Sequence, residues 1–349
     1  MDHGNFINHY AAQHCQHQGV DKDSLSRHLA TEHLDDVFTH HVKPAFPAHS
    51  QILQTRQNVH QRRRIDNPDD NVLEQKWKDS SKGFDTVNII EWMVDTCSAD
   101  ELETLLPRLT PLVLRVLDDF DVEYKTRAVI LVQKMISALD VAVIARFGLD
   151  NVFIDALFKC LNYLTDARDL PLLQAAYPCL IDLIDKSKAT GSKERYALYE
   201  KMLTDGVVPG LTYAGNKSSF LLVLLEAIDR LALELGTLLV RYLKLVLFGI
   251  SSGLCSTNST VNQVSLRTLE HVIQKTSPRI PAYGGVILQG LATLWLNHCH
   301  DQDDPTSQSI CTMVKKMYQL LCYLCQDRLK ADSQALLDLD RPSFEALLA

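Results

Sequence analysis

The sequence lacks the features that mark membrane proteins and nucleic-acid-binding proteins. Its longest apolar runs are broken by Glu226, Arg241 and Lys244, so none reaches the roughly 18–20 uncharged residues that a membrane helix needs. Positive charge is scarce, because the formal net charge is −8 and the pI is near 5.9, whereas a nucleic-acid surface needs a basic stripe. We therefore expect neither a membrane span nor direct contact with nucleic acid.

A secretory leader and a disulfide framework are missing as well. The chain starts with a polar, histidine-rich stretch at Met1-Asp2-His3, where a leader would carry an apolar segment. Its nine cysteines are an odd number and are scattered through apolar segments, which is typical of reduced thiols inside cells. We expect a protein of the cytoplasm and the nucleus.

Helical periodicity, in contrast, is nearly continuous from Phe84 onward. No stretch alternates apolar and polar residues for long enough to predict a strand, and short turns separate helices of about 15–20 residues, as in helical-hairpin proteins. The predicted helices lie near residues 84–97, 99–118, 122–139, 149–164, 169–187, 193–205, 217–234, 236–254, 260–276, 281–299, 307–327 and 331–338.

The stretch from Leu112 to Gln133 is the clearest repeat unit. Two apolar helical faces flank a tight acidic turn, and either Asp119 or Asp121 can cap the second helix by accepting hydrogen bonds from its free N–H groups. Basic residues follow at once and are expected to pair with the turn aspartates. The residues of this repeat turn are Asp118, Asp119, Asp121, Lys125 and Arg127.

An acidic elbow of this kind between two helices is typical of HEAT repeats, which must stack on their neighbours to bury their apolar faces. We predict an all-α, HEAT-like helical-repeat solenoid, an elongated α–α superhelix, over residues 81–349. Residues 1–80 are predicted to form a histidine-rich helical arm and linker, with an amphipathic helix from Ser24 to Val42 that Pro44 ends. The polar linker suggests that few contacts tie the arm to the repeats.

Two short motifs favour chemistry only when they are taken out of context. Gly249, Ser251 and Gly253 match the G-x-S-x-G nucleophile elbow, but that elbow follows a strand, and here a long helical pattern precedes it. Cys322 and Cys325 form a single C-x-x-C inside a helical run, whereas structural zinc needs four ligands. We interpret the first motif as a helix end and the second as buried thiols.

The histidines of the arm match no zinc-finger spacing, since only one cysteine accompanies them and no C-x-x-C is present. The basic run from Arg62 to Arg64 is too short to indicate more than a solvated linker. We therefore predict no enzyme, no metal site and no cofactor. The possible ligands in the arm are His9, His14, Cys15, His17, His28, His33, His40 and His41.

A polar ridge is the candidate contact with a partner. Thr237, Arg241 and Lys244 stand at i, i+4 and i+7 in an otherwise apolar stretch, so one helix would present them on a single face. Two interpretations stay open. The two cations could pair with acids of adjacent repeats, or the ridge could dock a larger helical partner, where an arginine surrounded by apolar surface is a typical anchor.

Several segments, in this order and spacing, resemble the fungal branch of the Tel-two-interacting protein two family. The resemblance covers roughly residues 85 to 300. The segments that carry it are the helix pair from Leu105 to Lys125, Pro171 to Ile184, Leu235 to Lys244, and Leu269 to Ile280.

The resemblance implies an α-solenoid adaptor without catalysis, the smallest subunit of the Triple T (TTT) co-chaperone complex. Its expected partners are the two larger helical-repeat subunits of that complex. Through them, and with the ninety-kilodalton heat-shock chaperone, it would support maturation of the phosphatidylinositol-kinase-like kinases (PIKKs) of TOR and DNA-damage signalling and of telomere maintenance. The alternatives are another HEAT-type scaffold, such as a transport receptor or a phosphatase regulatory subunit, or an enzyme on an unrecognised helical fold.

Overall fold

The structure is a computed structural model that describes residues 5–7, 9–10, 22–46, 76–301 and 303–348. The chain divides into two compact units, Met1–Leu149 and Asp150–Ala349. The predicted boundary at residue 80 separates the N-terminal arm from the repeats and not these two units, and it stays a prediction. Of the arm, His14, Cys15, His17 and the run from Arg62 to Arg64 lie outside the described residues.

All regular structure in the described residues is helical, which confirms the predicted all-α helical-repeat class. Most helix bounds agree with the predicted ones within a few residues. The helices are α1 Lys22–Glu32, α2 Leu34–Val37, α3 Thr86–Thr96, α4 Ala99–Leu117, α5 Val122–Ala138, α6 Val141–Arg146, α7 Leu149–Cys160, α8 Leu170–Ser187, α9 Lys193–Met202, α10 Val208–Tyr213, α11 Ser218–Leu235, α12 Leu243–Leu254, α13 Ser259–Thr276, α14 Gly284–His298, α15 Pro305–Cys325 and α16 Lys330–Leu348.

The helix pair α4/α5 forms the centre of the first unit. The Ser98 hydroxyl caps α4 by accepting from the Glu101 N–H, and the Glu101 carboxylate accepts from the Ser98 N–H, so both free N–H groups are satisfied. The facing sides of the pair bury Val113, Leu117 and Val132 completely or almost completely. A short turn and a shared apolar interface thus produce the predicted hairpin.

Described residues of the N-terminal arm pack on this first unit. The ring of Phe6 lies 5.1 Å from that of Trp92, whose indole N–H donates to Ser26 at 2.8 Å. Farther along, Trp77, which also belongs to the arm, packs edge-on against Tyr124 of α5 at 5.1 Å. The expectation of few contacts is therefore wrong for these residues, because their aromatic side chains, sparse in the sequence, reach the repeats. The predicted helix from Ser24 to Val42 is split into α1, α2 and a π-helical turn, Phe38–Val42.

In the second unit, successive helices alternate between two layers. One layer contains α8, α11, α13 and α15, and the other contains α9 with α10, then α12 and α14; neighbours within each layer and partners across the layers are in contact. Each hairpin therefore buries one face against its own partner and another against the next hairpin, as stacked helical repeats do.

The predicted single helix from 236 to 254 is wrong in its first part. Gly236 adopts a φ of +53°, which ends α11, and the chain continues as a 3₁₀ segment, Gly236–Tyr242, before α12 begins. Not all of the apolar side chains in this stretch are covered, because Leu238, Leu245 and Phe248 are exposed.

The G-x-S-x-G motif lies within α12, where its glycines permit close packing. A Cβ atom on Gly253 would lie 2.1 Å from Ser265 Oγ, and one on Gly249 would lie 2.9 Å from Leu211. Both cysteines of the C-x-x-C motif lie in α15, as predicted, but only Cys325 is buried, so the interpretation as buried thiols is wrong for the half-buried Cys322. None of the helices in the described part of the chain is long and apolar enough to cross a membrane.

Candidate functional site

The repeat turn between α4 and α5 is held by its own aspartates. Asp121 caps α5 by accepting from the Glu123 N–H at 3.0 Å, as predicted. Asp119 accepts from the Asp121 N–H at 2.8 Å and from Lys78 Nζ at 2.7 Å. Asp118 forms the C-cap of α4. The turn is thus a capped structural elbow, in which the carboxylates satisfy backbone and cationic donors.

The two basic residues beyond the turn reach different partners. Lys125 is buried and donates to the Leu117 carbonyl. Arg127 does not pair with the turn aspartates, so that expectation is wrong. Its guanidinium reaches across to α3 and binds Asp85 at 2.6 Å and Glu91 at 2.8 Å, because α5 packs on α3 along this face.

Burial is one of two opposing influences on the pKa of Arg127 in this ion cluster. It lowers the pKa of Arg127, but hydrogen bonds to Glu91 and Asp85, together with their charges, outweigh burial and leave the pKa above its usual range. The Tyr124 hydroxyl also donates to Asp85, and burial followed by the Asp85 charge raises the pKa of Tyr124. All these groups pair with each other, so the cluster connects α3 to α5.

The second unit has two contrasting outer surfaces. On the layer of α8, α11, α13 and α15, ion pairs whose basic side chains are about half exposed or more connect each helix to the next. We name these pairs the ladder face. Its rungs are Arg230–Asp182 at 3.2 Å, Arg267–Asp229 at 3.2 Å and Lys316–Glu270 at 2.7 Å.

In the other layer, α9 carries charged residues, but α10, α12 and α14 present apolar side chains to solvent. In α10, α12 and α14, all of which the structure describes, Lys244 is the only residue among Asp, Glu, Lys and Arg. Exposed apolar side chains that form a patch on a protein surface mark interaction sites. We name the exposed apolar residues of these three helices the neutral face. They are Tyr213, Leu245, Phe248, Val286 and Leu296.

The three ridge residues border the neutral face, but not as one stripe. All three are exposed. Thr237 and Arg241 lie in the 3₁₀ segment, where three residues per turn place positions four apart on different sides, so the predicted single ridge is broken there. Arg241 pairs with Glu200 of α9 at 3.2 Å while its side chain stays 68% exposed. Pairing with an adjacent repeat therefore occurs at Arg241 and leaves it accessible.

The described residues offer no arrangement suited to metal binding: no group of three or more His, Cys, Asp or Glu side chains could hold an ion. Several thiols are also poor nucleophiles, because burial raises the pKa of Cys97 to about 12 and raises that of Cys179. What the arrangement can do is bind: a rigid scaffold presents one charged surface and one apolar surface.

Sequence reasoning missed the apolar members of this site. Leu245 and Phe248 fit the helical period of a core, so their exposure could not be read from periodicity. A signal was nevertheless present, because α12 and α14 together contain no acidic residue in a chain of net charge −8.

Paired helices, stacked repeats and an exposed apolar surface beside a charged one define a HEAT-type helical-repeat protein that binds other proteins. A scan of protein-family models matches the Tti2 family over residues 7–260, which is most of the chain. The chain belongs to the Tti2 family, whose members are adaptor subunits of the TTT co-chaperone complex. No solved structure matches it.

Proposed function

We propose that this chain is a non-catalytic adaptor that joins the two larger helical-repeat subunits of the TTT complex. In that assembly, acting in the cytoplasm and the nucleus together with the ninety-kilodalton heat-shock chaperone, it supports maturation and stability of PIKK-family kinases. These kinases act in TOR signalling, the DNA-damage response and telomere maintenance. Family membership supports a role in the TTT complex. The particular partners and client kinases named here go beyond family membership and belong to the proposal.

The observation that carries this proposal is the contrast between the two surfaces of the second unit. Ion pairs connect the helices of the ladder face, and their exposed basic side chains suit contact with water. The neutral face instead keeps large apolar side chains in solvent, with Phe248 65% exposed. Leaving such side chains in water is unfavourable by about 25 cal/mol per Å² relative to burying them. A partner that covers them gains that free energy.

A charge reversal at the edge of the neutral face tests the proposal. We expect the double substitution Arg241→Glu and Lys244→Glu to leave the melting temperature nearly unchanged, because both side chains are exposed. Binding to the larger subunits should weaken at least ~10-fold, which corresponds to about 1.4 kcal/mol. The measurement is quantitative co-purification of the tagged chain at low salt, with the abundance of client kinases followed in cells.

The matched control is Lys315→Glu with Lys316→Glu on α15, which makes the same change in net charge on the ladder-face layer. This control should keep its partners. Equal loss in both variants would mean that net charge, and not the neutral face, controls binding. Recovery of phosphatase or nuclear-pore components as stoichiometric partners would favour another HEAT-type scaffold and contradict the proposal.

A further inference from the structure

A groove of about 740 Å³ lies between α10, the start of α11 and α12 in the second unit. Two aromatic side chains border it, Tyr213 with 73% of its surface exposed and Phe248 with 65%. Leu211 and Leu221 line it as well. Its volume is in the range of about 300–1,000 Å³ that is typical of ligand-binding clefts. Its two aromatic rings are exposed to water.

The lining of the groove is uncharged throughout. Leu211, Tyr213, Leu221 and Phe248 form its apolar part, beside small polar side chains: Thr212, Asn216, Ser218, Ser252, Ser256 and Thr257. The apolar part can cover apolar side chains of a partner without the desolvation of a charge. A charged side chain inserted into the groove would find no opposite charge in the lining.

Positive charge stands at one edge of the groove. Lys244 and Phe248 are four residues apart on α12, so they are neighbours on one helical face. Lys244 forms no ion pair within the described residues, and Arg241 is close by in sequence with an exposed side chain. Glu200 of α9 pairs with Arg241, whereas no acid lies on α10, α12 or α14 to oppose Lys244. The occupant that complements this edge carries an acidic residue beside its apolar ones.

We propose that the groove binds one amphipathic helix of a larger subunit, with apolar side chains between Tyr213 and Phe248 and a carboxylate paired with Lys244. This inference rests on the proposed function and names the element that docks. The described residues contain no strand whose edge an extended segment could join, and a helix placed in an apolar groove is a common mode of recognition between helical proteins.

The first experiment uses the full chain co-expressed with the two larger subunits. We expect Tyr213→Ala with Phe248→Ala to weaken binding at least ~10-fold while melting is unchanged, since both rings are exposed. The matched control, Tyr323→Ala, removes an aromatic ring that is 78% exposed on α15 and should bind normally. If the groove variant binds like the wild-type chain, the inference is overturned while the proposed function stands.

The second experiment identifies the docked segment. A photo-crosslinking amino acid at position 248 should attach to one segment of a larger subunit, and a synthetic peptide of that segment is the probe for an alanine scan by fluorescence anisotropy. Loss of binding at positions i, i+3 or i+4, and i+7 is expected for a helix, whereas loss at alternate positions indicates an extended strand and overturns the inference. A peptide in which lysine replaces the acidic residue should bind the Lys244→Glu chain, because the exchange restores a pair of opposite charges.

Two further outcomes show whether the proposed function fails or only the inference about the groove. If the wild-type chain binds neither larger subunit, the proposed function fails and the inference fails with it. If the crosslink joins two copies of this chain and light scattering shows a dimer that Phe248→Ala dissolves, the occupant is a second copy and the inference is overturned.

Discussion

Arg127 neutralises two carboxylates that are almost fully buried, since Asp85 is 5% and Glu91 1% exposed. Replacement of Arg127 by Met keeps an unbranched apolar side chain in place of the arginine stem but leaves both acids without a counter-ion. Removal of one partner of a buried ion pair costs roughly 3–5 kcal/mol. We predict a loss of that size in the free energy of unfolding, measured by urea denaturation.

The control for this prediction is Arg108→Ala. Arg108 pairs with Asp35 at 2.7 Å, but Asp35 is 80% exposed, and exposed pairs contribute up to about 1 kcal/mol. A loss at Arg127 no larger than the loss at Arg108 would show that water reaches Asp85 and Glu91, and that the cluster is not a buried one.

Leu117 and Asp121 separate packing from capping in the same hairpin. Leu117 is 1% exposed, so Leu117→Ala opens a cavity and should cost roughly 2–5 kcal/mol. Asp121→Ala removes one cap and should cost about 1 kcal/mol. Thermal melts of the two variants show which substitution lowers stability more. A larger effect at the aspartate would contradict the interpretation that an apolar interface holds α4 against α5.

At the scale of the elements, the close approach of α12 to α13 depends on Gly253. A Cβ there would lie 2.1 Å from Ser265 Oγ and 2.9 Å from Leu225, so Gly253→Ala should cost about 1–3 kcal/mol through overpacking. In Gly285→Ala the nearest atom is the Asp332 carboxylate at 3.1 Å, which can move. That variant should be neutral or stabilising by about 0.5–1 kcal/mol. Urea unfolding of both variants checks the contrast, and equal effects would contradict the packing role of Gly253.

Helix positions were predictable from the sequence wherever a long apolar period ended in a recognisable cap. Asp121 and Gly148 mark two such ends, and α5 and α7 start within a residue of their predicted positions. The short helices α6 and α10 were not predicted, because six residues give too little periodicity. The 3₁₀ segment was missed since its apolar residues fit a helical period equally well.

The candidate site was predictable only at its charged edge. Lys244 and Arg241 stood out as polar residues in an apolar stretch, and the structure leaves both exposed. Tyr213 and Phe248 could not be assigned to a surface, because which side of a helix stays uncovered depends on how the repeats stack. Arg127 was assigned to the wrong acids for the same reason: its partners lie 36 and 42 residues away along the chain.

At the scale of the whole molecule, the arm contributes to the first unit. Deletion of residues 1–80 removes the contacts of Phe6 and Ser26 with Trp92, and it removes Trp77 from Tyr124, 5.1 Å away. We predict faster amide hydrogen exchange in α3 of the truncated chain, measured by mass spectrometry. Helix α8, which makes none of these contacts, is the internal reference. Unchanged exchange in α3 would show that the arm is dispensable for folding.

The neutral face also bears on the fate of a chain made in excess of its partners. Uncovered Phe248, Leu245 and Val286 form the kind of apolar surface that causes aggregation, and cells hold such surfaces on chaperones or remove them by proteolysis. An orphan copy would therefore be short-lived, whereas an assembled copy would hide the same residues. The surface that makes assembly favourable would in this way also set the amount of the subunit to match that of its complex.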